Sequence, residues 1–220
     1  MGDLTALKTQ ILDKTGYNPA DNASFVTRCL NIAQREVTLV KFNFLWGYAT
    51  QSIGSGQAPY DLPSGTGWET HHLDEVFIGT SQLRRGDKRS ILLAPASDTG
   101  QPAKYIESGY NSSNGRRTIY FGGPTSDATY NVKIAYYRWL VDLSAATDVS
   151  AISQVWMDKP LVTYASYLIY NNLEQYEKAA QVLGEFRIDM KDMERLGFEG
   201  DSYEDILMSR ELISKEENEA

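Results

Sequence analysis

The chain has only two histidines, His71 and His72, and they lie among the carboxylates of Glu69, Asp74 and Glu75. Histidine and carboxylate side chains are common ligands of hydrolytic metal sites. Neighbouring residues of a strand point to opposite faces, so the two imidazoles bind one ion only if a turn separates them. We interpret this segment as a polar loop and expect no metal, and a metal hydrolase using His71 or His72 is kept as a minor hypothesis.

Two further features could carry chemistry, and both have a simpler explanation. Cys29 is the only cysteine, so it forms neither an internal disulfide nor a zinc site, and its apolar neighbours predict a small buried side chain. Gly54-Ser55-Gly56 is not followed by the lysine of a phosphate-binding loop, which favours a turn. We therefore predict no catalytic residue and no cofactor.

Aromatic side chains crowd one predicted strand, which contains Tyr130, Tyr136, Tyr137 and Trp139. An aromatic-rich sheet can stack on sugar rings, so a carbohydrate-binding or cell-surface-binding module is one alternative function. Packing within the core or at an interface is the more common explanation of such residues.

A cluster of basic residues, Arg84, Arg85, Lys88 and Arg89, surrounds the predicted turn at Gly86-Asp87. A solvated hairpin tip is the simpler interpretation. The alternative is a contact with an acidic surface of a neighbouring subunit or of a tail protein.

The charge of the chain is concentrated at one end. The net charge is −8, and residues 199–220 contain eight acidic and two basic side chains. Such a surface repels a phosphate backbone, which argues against tight DNA binding. No run reaches the ~18 apolar residues of a membrane span, and the N-terminal residues lack the pattern of a signal peptide, so we expect synthesis in the cytoplasm.

Helical periodicity dominates the first part of the chain. Leu4, Leu7 and Ile11 share one face behind the cap residue Asp3, and Gly16 is a typical helix terminator. A longer helix is predicted over residues 25–46. Its apolar stripe consists of Phe25, Cys29, Ala33, Val37, Val40 and Phe44.

Short extended segments follow, and they predict a β region. Residues 129–140 alternate with a period of two, and Asn114-Gly115 predicts a hairpin between residues 104–110 and 117–121. Five to eight such strands indicate a small antiparallel sandwich or barrel.

Helical spacing returns over residues 161–193, with a break expected near Asn171-Asn172. The predicted fold is α+β: residues 1–47 and 144–198 form an antiparallel α-helical bundle, and residues 48–143 form an inserted β domain. Residues 199–220 form an extended, acidic C-terminal tail.

The order of several patterns resembles a known family. They are the Asn31-Ile32-Ala33-Gln34-Arg35-Glu36 run, Tyr60-Asp61-Leu62-Pro63, Thr118-Ile119-Tyr120-Phe121 with Pro124, the strand Tyr130-Asn131-Val132-Lys133-Ile134-Ala135-Tyr136-Tyr137, and Trp156 before a helix with Tyr164-Ala165. In this order the chain is similar to the head-to-tail connector, or neck adaptor, proteins of tailed bacteriophages.

This resemblance implies a structural, non-enzymatic virion protein at the head-tail junction. It implies a homo-oligomeric ring, expected to be dodecameric, that docks under the portal protein, provides the attachment surface for tail or neck proteins, and surrounds the DNA channel without specific DNA binding. An extended C-terminal segment would reach the portal. Here its portal-binding residues would be Ile206, Leu207, Met208, Leu212 and Ile213, an apolar strip among acids that can order on a preformed groove.

Overall fold

The computed structural model describes residues 2–18, 22–54, 59–65, 68–87, 89, 91, 100–122, 129–150, 152 and 158–195. The protein is α+β, as predicted, and it divides into two compact units. The helical unit comprises Met1–Leu45 with Leu140–Ala220, and the β unit comprises Trp46–Trp139. Independent folding of either unit as a domain stays a prediction.

Helix α1, Leu4–Thr15, has the ends that its sequence predicts. The side chain of Asp3 accepts a hydrogen bond from the backbone N–H of Ala6 at 2.9 Å, which satisfies one of the free donors of the first turn. Gly16 adopts the left-handed conformation with φ 68°, which glycine reaches without strain. The buried face of α1 is Leu4, Leu7 and Ile11, as predicted.

Helix α2, Ala23–Val37, is shorter than the predicted helix over residues 25–46. The side chain of Asn22 caps its start by accepting from the N–H of Phe25 at 3.1 Å. The prediction is wrong beyond Val37, where β-branched residues lose side-chain freedom in a helix. There the Thr38 hydroxyl donates to the carbonyl of Arg35 at 3.0 Å, and a short 3-10 turn at Asn43–Leu45 precedes the first strand.

Helices α3, Lys159–Asn172, and α4, Tyr176–Glu194, are separated where the sequence predicts a break. Glu174, between them, has a left-handed φ of 58°. Leu173 and Tyr176 keep the apolar spacing of residues 161–193, but both are exposed because they lie at this break. Helix α3 contacts α1, α2 and α4.

A buried carboxylate joins α3 to α4. Asp189 of α4 pairs with the ammonium of Lys159 at 2.5 Å and accepts a hydrogen bond from the Thr163 hydroxyl at 3.2 Å, both on α3. The bond to Asp189 raises the pKa of Lys159. The pairing is consistent with the rule that buried charges need partners.

The β unit contains nine strands within the described residues. They are β1 Trp46–Ile53, β2 Tyr60–Asp61, β3 Ser64–Gly65, β4 Trp68–Ile78, β5 Ser81–Gln82, β6 Arg84–Arg85, β7 Lys104–Tyr110, β8 Arg117–Gly122 and β9 Tyr130–Leu140. Five to eight were predicted. The difference arises because β2, β3, β5 and β6 are two residues long, too short for a periodic pattern.

The strands form two sheets. One has the order β1-β9-β4-β3, with β5 paired to β4, and the other has the order β2-β8-β7-β6. Strands β1 and β9 pair antiparallel, as do β7 and β8, whereas β6 and β7 are parallel. The predicted hairpin between β7 and β8 is confirmed, and Gly115 at its turn has φ 69°.

Both sheets contribute side chains to one hydrophobic core. It includes Val76 of β4, Ile119 of β8, and Val132 and Ile134 of β9, each of which has no exposed surface. Alternating residues of a strand point to one face, so Val132, Ile134 and Tyr136 of β9 enter this core together.

Candidate interaction surfaces

Helix α2 holds the extended segment that follows β9. The Asn31 amide donates to the carbonyl oxygen of Leu143 at 3.1 Å, and the N–H of Leu143 donates back to Asn31 Oδ1 at 2.8 Å. Gln34 Nε2 donates to the carbonyl of Val141 at 2.7 Å. Residues three and four apart share one helix face, so these amides meet successive groups of one extended chain. We call this arrangement the α2 clamp.

An exposed ion pair extends the α2 clamp. Arg35 Nη2 lies 2.7 Å from both carboxylate oxygens of Asp142, and both side chains are about half exposed. In the sequence the run from Asn31 to Glu36 was used only as a family pattern, and the contact of Asn31 and Gln34 with the backbone of residues 141–143 was not predicted. Two amide side chains on the buried side of an amphipathic helix could have indicated such a contact, because a buried polar group without a partner is costly.

A groove runs beside the α2 clamp, between α1, the face of α2 from Ala23 to Arg35, and residues 142–144. The groove is open to solvent and has a volume of about 670 Å³. Its charged lining consists of Lys8, Arg28, Arg35 and Asp142. Arg35 is paired with Asp142, whereas none of the ion pairs found among the described residues involves Lys8 or Arg28. We call this feature the α2 groove.

Two residues of the basic cluster, Arg84 and Arg85, lie on a sheet edge rather than at the predicted hairpin tip. Arg84 and Arg85 form β6, and the parallel register places them beside Lys104 and Tyr105 of β7. The prediction of a hairpin tip is wrong because residues that follow Gly100 supply the pairing strand, which local sequence does not reveal.

The charges of this edge are only partly compensated. Arg85 lies 3.9 Å from Glu107, whose other oxygen binds Arg117 at 2.5 Å. Arg89 is exposed, and Lys88 lies outside the described residues. A role of the four basic residues in subunit or tail contacts stays a prediction.

Two of the four aromatic residues considered for sugar stacking are buried, and the other two, Tyr130 and Trp139, are half-buried. Tyr136 is 3% exposed and Tyr137 is 4% exposed. The Tyr136 ring stacks on Trp68 with centroids 5.3 Å apart. Large aromatic side chains that are exposed in the described β unit are Trp46, Tyr48 and Tyr110. Of the predicted stacking residues, Tyr136 and Tyr137 therefore have a packing role.

The histidines lie in strand β4 rather than in the predicted polar loop. His71 packs against the ring of Trp139 with centroids 4.5 Å apart. The polar residues around it misled the prediction, because one face of this strand tolerates charged side chains. The described residues contain no group of three or more His, Cys, Asp or Glu side chains that could hold a metal.

Cys29 is buried on α2, and burial raises the pKa of its thiol to about 11. Only a thiolate is a strong nucleophile, so this environment suits a packing role. The predicted portal-binding residues, Ile206, Leu207, Met208, Leu212 and Ile213, lie outside the described residues. Within the described part of the chain, no helix has the length and apolar character to span a membrane.

The model of the SU10 adaptor protein family matches residues 2–205. The chain belongs to this family of phage head-to-tail adaptors, which confirms the predicted resemblance. No curated protein matches the sequence significantly. Membership indicates a structural virion component that interacts with other capsid or tail components.

Proposed function

We propose that this protein forms a homo-oligomeric ring between the portal and the tail of a bacteriophage. The family match over residues 2–205 carries the proposal. In this proposal the ring is dodecameric, its helices form an antiparallel bundle, and the β unit is an inserted sandwich domain. Closed rings arise when the same two different surfaces meet between successive subunits.

The C-terminal segment is the proposed portal-binding element. Its apolar residues, Ile206, Leu207, Met208, Leu212 and Ile213, stand among eight acidic side chains in residues 199–220. Burying an apolar strip in a preformed groove is favourable, and the surrounding acids keep it soluble until then. This composition supports a segment that orders on a partner.

The proposed ring surrounds DNA without binding a particular sequence. The net charge of −8 supports this, because an acidic surface does not collect phosphate groups. The edge formed by Arg84 and Arg85 is the proposed contact with an acidic neighbouring subunit or tail protein. Oppositely charged patches set the register of such contacts.

The carbohydrate-binding alternative has less support. Two of the four aromatic residues on which it is based, Tyr136 and Tyr137, are buried in the β unit. A sugar-stacking ring needs one open face, which these two tyrosines lack.

Electron cryomicroscopy of the full chain with the portal protein of the same phage tests the proposal. The expected result is a closed ring under the portal with residues 206–213 seated on it. A portal that stays bare at saturating adaptor concentration would refute portal binding.

Two variants identify the portal contact. Ile206→Asp combined with Leu207→Asp should abolish docking, because two charges cannot enter an apolar groove without large cost. Ser214→Asp adds a charge beside the apolar strip and should leave docking nearly unchanged. If the Ile206→Asp and Leu207→Asp double variant docks as well as Ser214→Asp, then another surface binds the portal.

A further inference from the structure

The α2 groove carries positive charge on an otherwise acidic protein. Lys8 projects from α1 and Arg28 from α2, and both line the same groove. The net charge of the chain is −8. Both cations lack a carboxylate partner among the described ion pairs, and an anion bound in the groove would be attracted to both of them.

The lining of the α2 groove is also partly apolar. Ala23, Ile32 and Leu143 lie in it beside the two cations. A mixed lining of this kind fits a peptide that carries both acids and apolar side chains. A small inorganic anion would use only the charged part.

Residues 199–220 have this composition. They contain eight acids, two bases and an apolar strip within one short segment. We propose that the α2 groove binds the acidic C-terminal segment of the same chain before the protein joins the virion. Carboxylates of the segment pair with Lys8 and Arg28, and its apolar side chains cover Ala23 and Ile32.

Chain length permits this contact within one molecule. Helix α4 ends at Glu194 in the helical unit. Residues 196–220 reach up to about 80 Å when extended, and a compact unit of this size is about 35 Å across. A tethered segment has an effective concentration on the order of millimolar, so a contact within one chain is favoured over one between dilute chains.

The contact between the α2 groove and residues 199–220 is independent of what this segment binds in the virion. If the segment also binds the portal, the α2 groove and the portal compete for it. The groove then keeps the apolar strip covered in the free protein, and portal docking releases it.

Zero-length carbodiimide cross-linking of the full-length protein tests the contact. The reagent joins a carboxylate to a lysine amine only when the two touch, and mass spectrometry locates the joined peptides. The expected product joins Lys8 to an acidic residue of 199–220. Lys14 and Glu185, whose charged atoms lie 2.7 Å apart, provide an internal reference on the helical unit.

A mixture of isotope-labelled and unlabelled protein distinguishes the source of the segment. If every Lys8 product contains a single isotope and no mixed product forms, the cross-link lies within one molecule, which supports the proposal. Cross-links of mixed isotope would show that the segment belongs to a second copy, and they would overturn the contact within one chain.

A charge-reversal pair gives the matched control. Arg28→Glu should lower the Lys8 product about fivefold, because it replaces an attraction by a repulsion at the groove. Lys133→Glu makes the same charge change at an exposed position of β9 and should have no effect. The Lys14–Glu185 product should be constant in both variants, which shows that the helical unit is folded.

Two results would overturn the proposal. One is the absence of a Lys8 product while the Lys14–Glu185 reference forms normally. The other is an equal Lys8 product in Arg28→Glu and Lys133→Glu. Portal docking by these same variants is a separate measurement, so failure of the groove contact is distinguishable from failure of the proposed adaptor function.

Discussion

Replacing Asn31 by alanine tests the α2 clamp directly. Asn31 is the only side chain that satisfies both backbone groups of Leu143 in the described structure, through bonds of 3.1 and 2.8 Å. Leu143 is 6% exposed, so water cannot easily replace the lost partners. Alanine is a better helix former than asparagine, so α2 itself gains slightly from the change.

The expected loss of stability follows from these two groups. A buried donor or acceptor left without a partner costs about 1–3 kcal/mol. Two such groups on Leu143, less the small gain in helix propensity, give a decrease of about 2–5 kcal/mol in the free energy of unfolding. Arg35→Ala removes the exposed pair with Asp142 and should cost about 1 kcal/mol or less.

Urea unfolding followed by far-ultraviolet circular dichroism is the suitable assay. Three of the four tryptophans lie in the β unit, so tryptophan fluorescence reports mainly on that unit, whereas circular dichroism follows the helices. A typical urea dependence predicts a midpoint lower by about 1–2 M for Asn31→Ala.

The urea midpoints of Asn31→Ala and Arg35→Ala show whether the amide bonds or the ion pair stabilise the α2 clamp. If Asn31→Ala lowers the midpoint no more than Arg35→Ala, then the paired amide bonds to Leu143 do not contribute as the burial argument requires. A large effect of Arg35→Ala alone would point to the ion pair instead.

Three further predictions use other parts of the chain. A Cβ at Gly122 would lie 2.4 Å from the buried side chain of Ile91, so Gly122→Ala should lower the free energy of unfolding by about 1–3 kcal/mol. A Cβ at Gly184 on α4 would meet no atom within 4 Å, so Gly184→Ala should raise the free energy of unfolding by up to about 1 kcal/mol. Thermal unfolding of the two variants measures both changes. Because burial raises the pKa of Cys29 to about 11, iodoacetamide should label it only after unfolding, and labelling of the native protein at neutral pH would contradict its burial. Hydrogen bonds from the side chains of Asn111 and Asn114 lower the pKa of Asp61 below its ordinary value of 3.8. The ionised carboxylate therefore stabilises the folded state above pH 3.8, and this stabilisation is lost on acidification. An Asp61 pKa at or above 3.8 in an NMR titration would be inconsistent with the two hydrogen bonds.

Several elements were predictable because their signals are local. The Asp3 cap, the left-handed Gly16 and the turn at Asn114-Gly115 each depend on a few neighbouring residues. The break between α3 and α4 was predictable for the same reason. The end of α2 was not, because its apolar spacing continues beyond Val37 although the backbone leaves the helix there.

The candidate surfaces were less predictable. The pairing of β6 with β7 joins Arg84 to Lys104 across a long connection, and no local pattern marks it. Likewise, the period of β9 predicts alternating faces but does not tell which tyrosine is covered. Tyr136 and Tyr137 are adjacent and both are buried.

The sequence by itself determined the α+β class, the ends of α1, the β7–β8 hairpin and the phage adaptor family, because these follow from local conformational preferences and from the order of patterns along the chain. Only the tertiary structure decided the role of Asn31. Its partner, Leu143, is 112 residues away. Contacts over such a distance depend on how separate elements pack, and a polar residue on a helix face does not reveal which backbone it will meet.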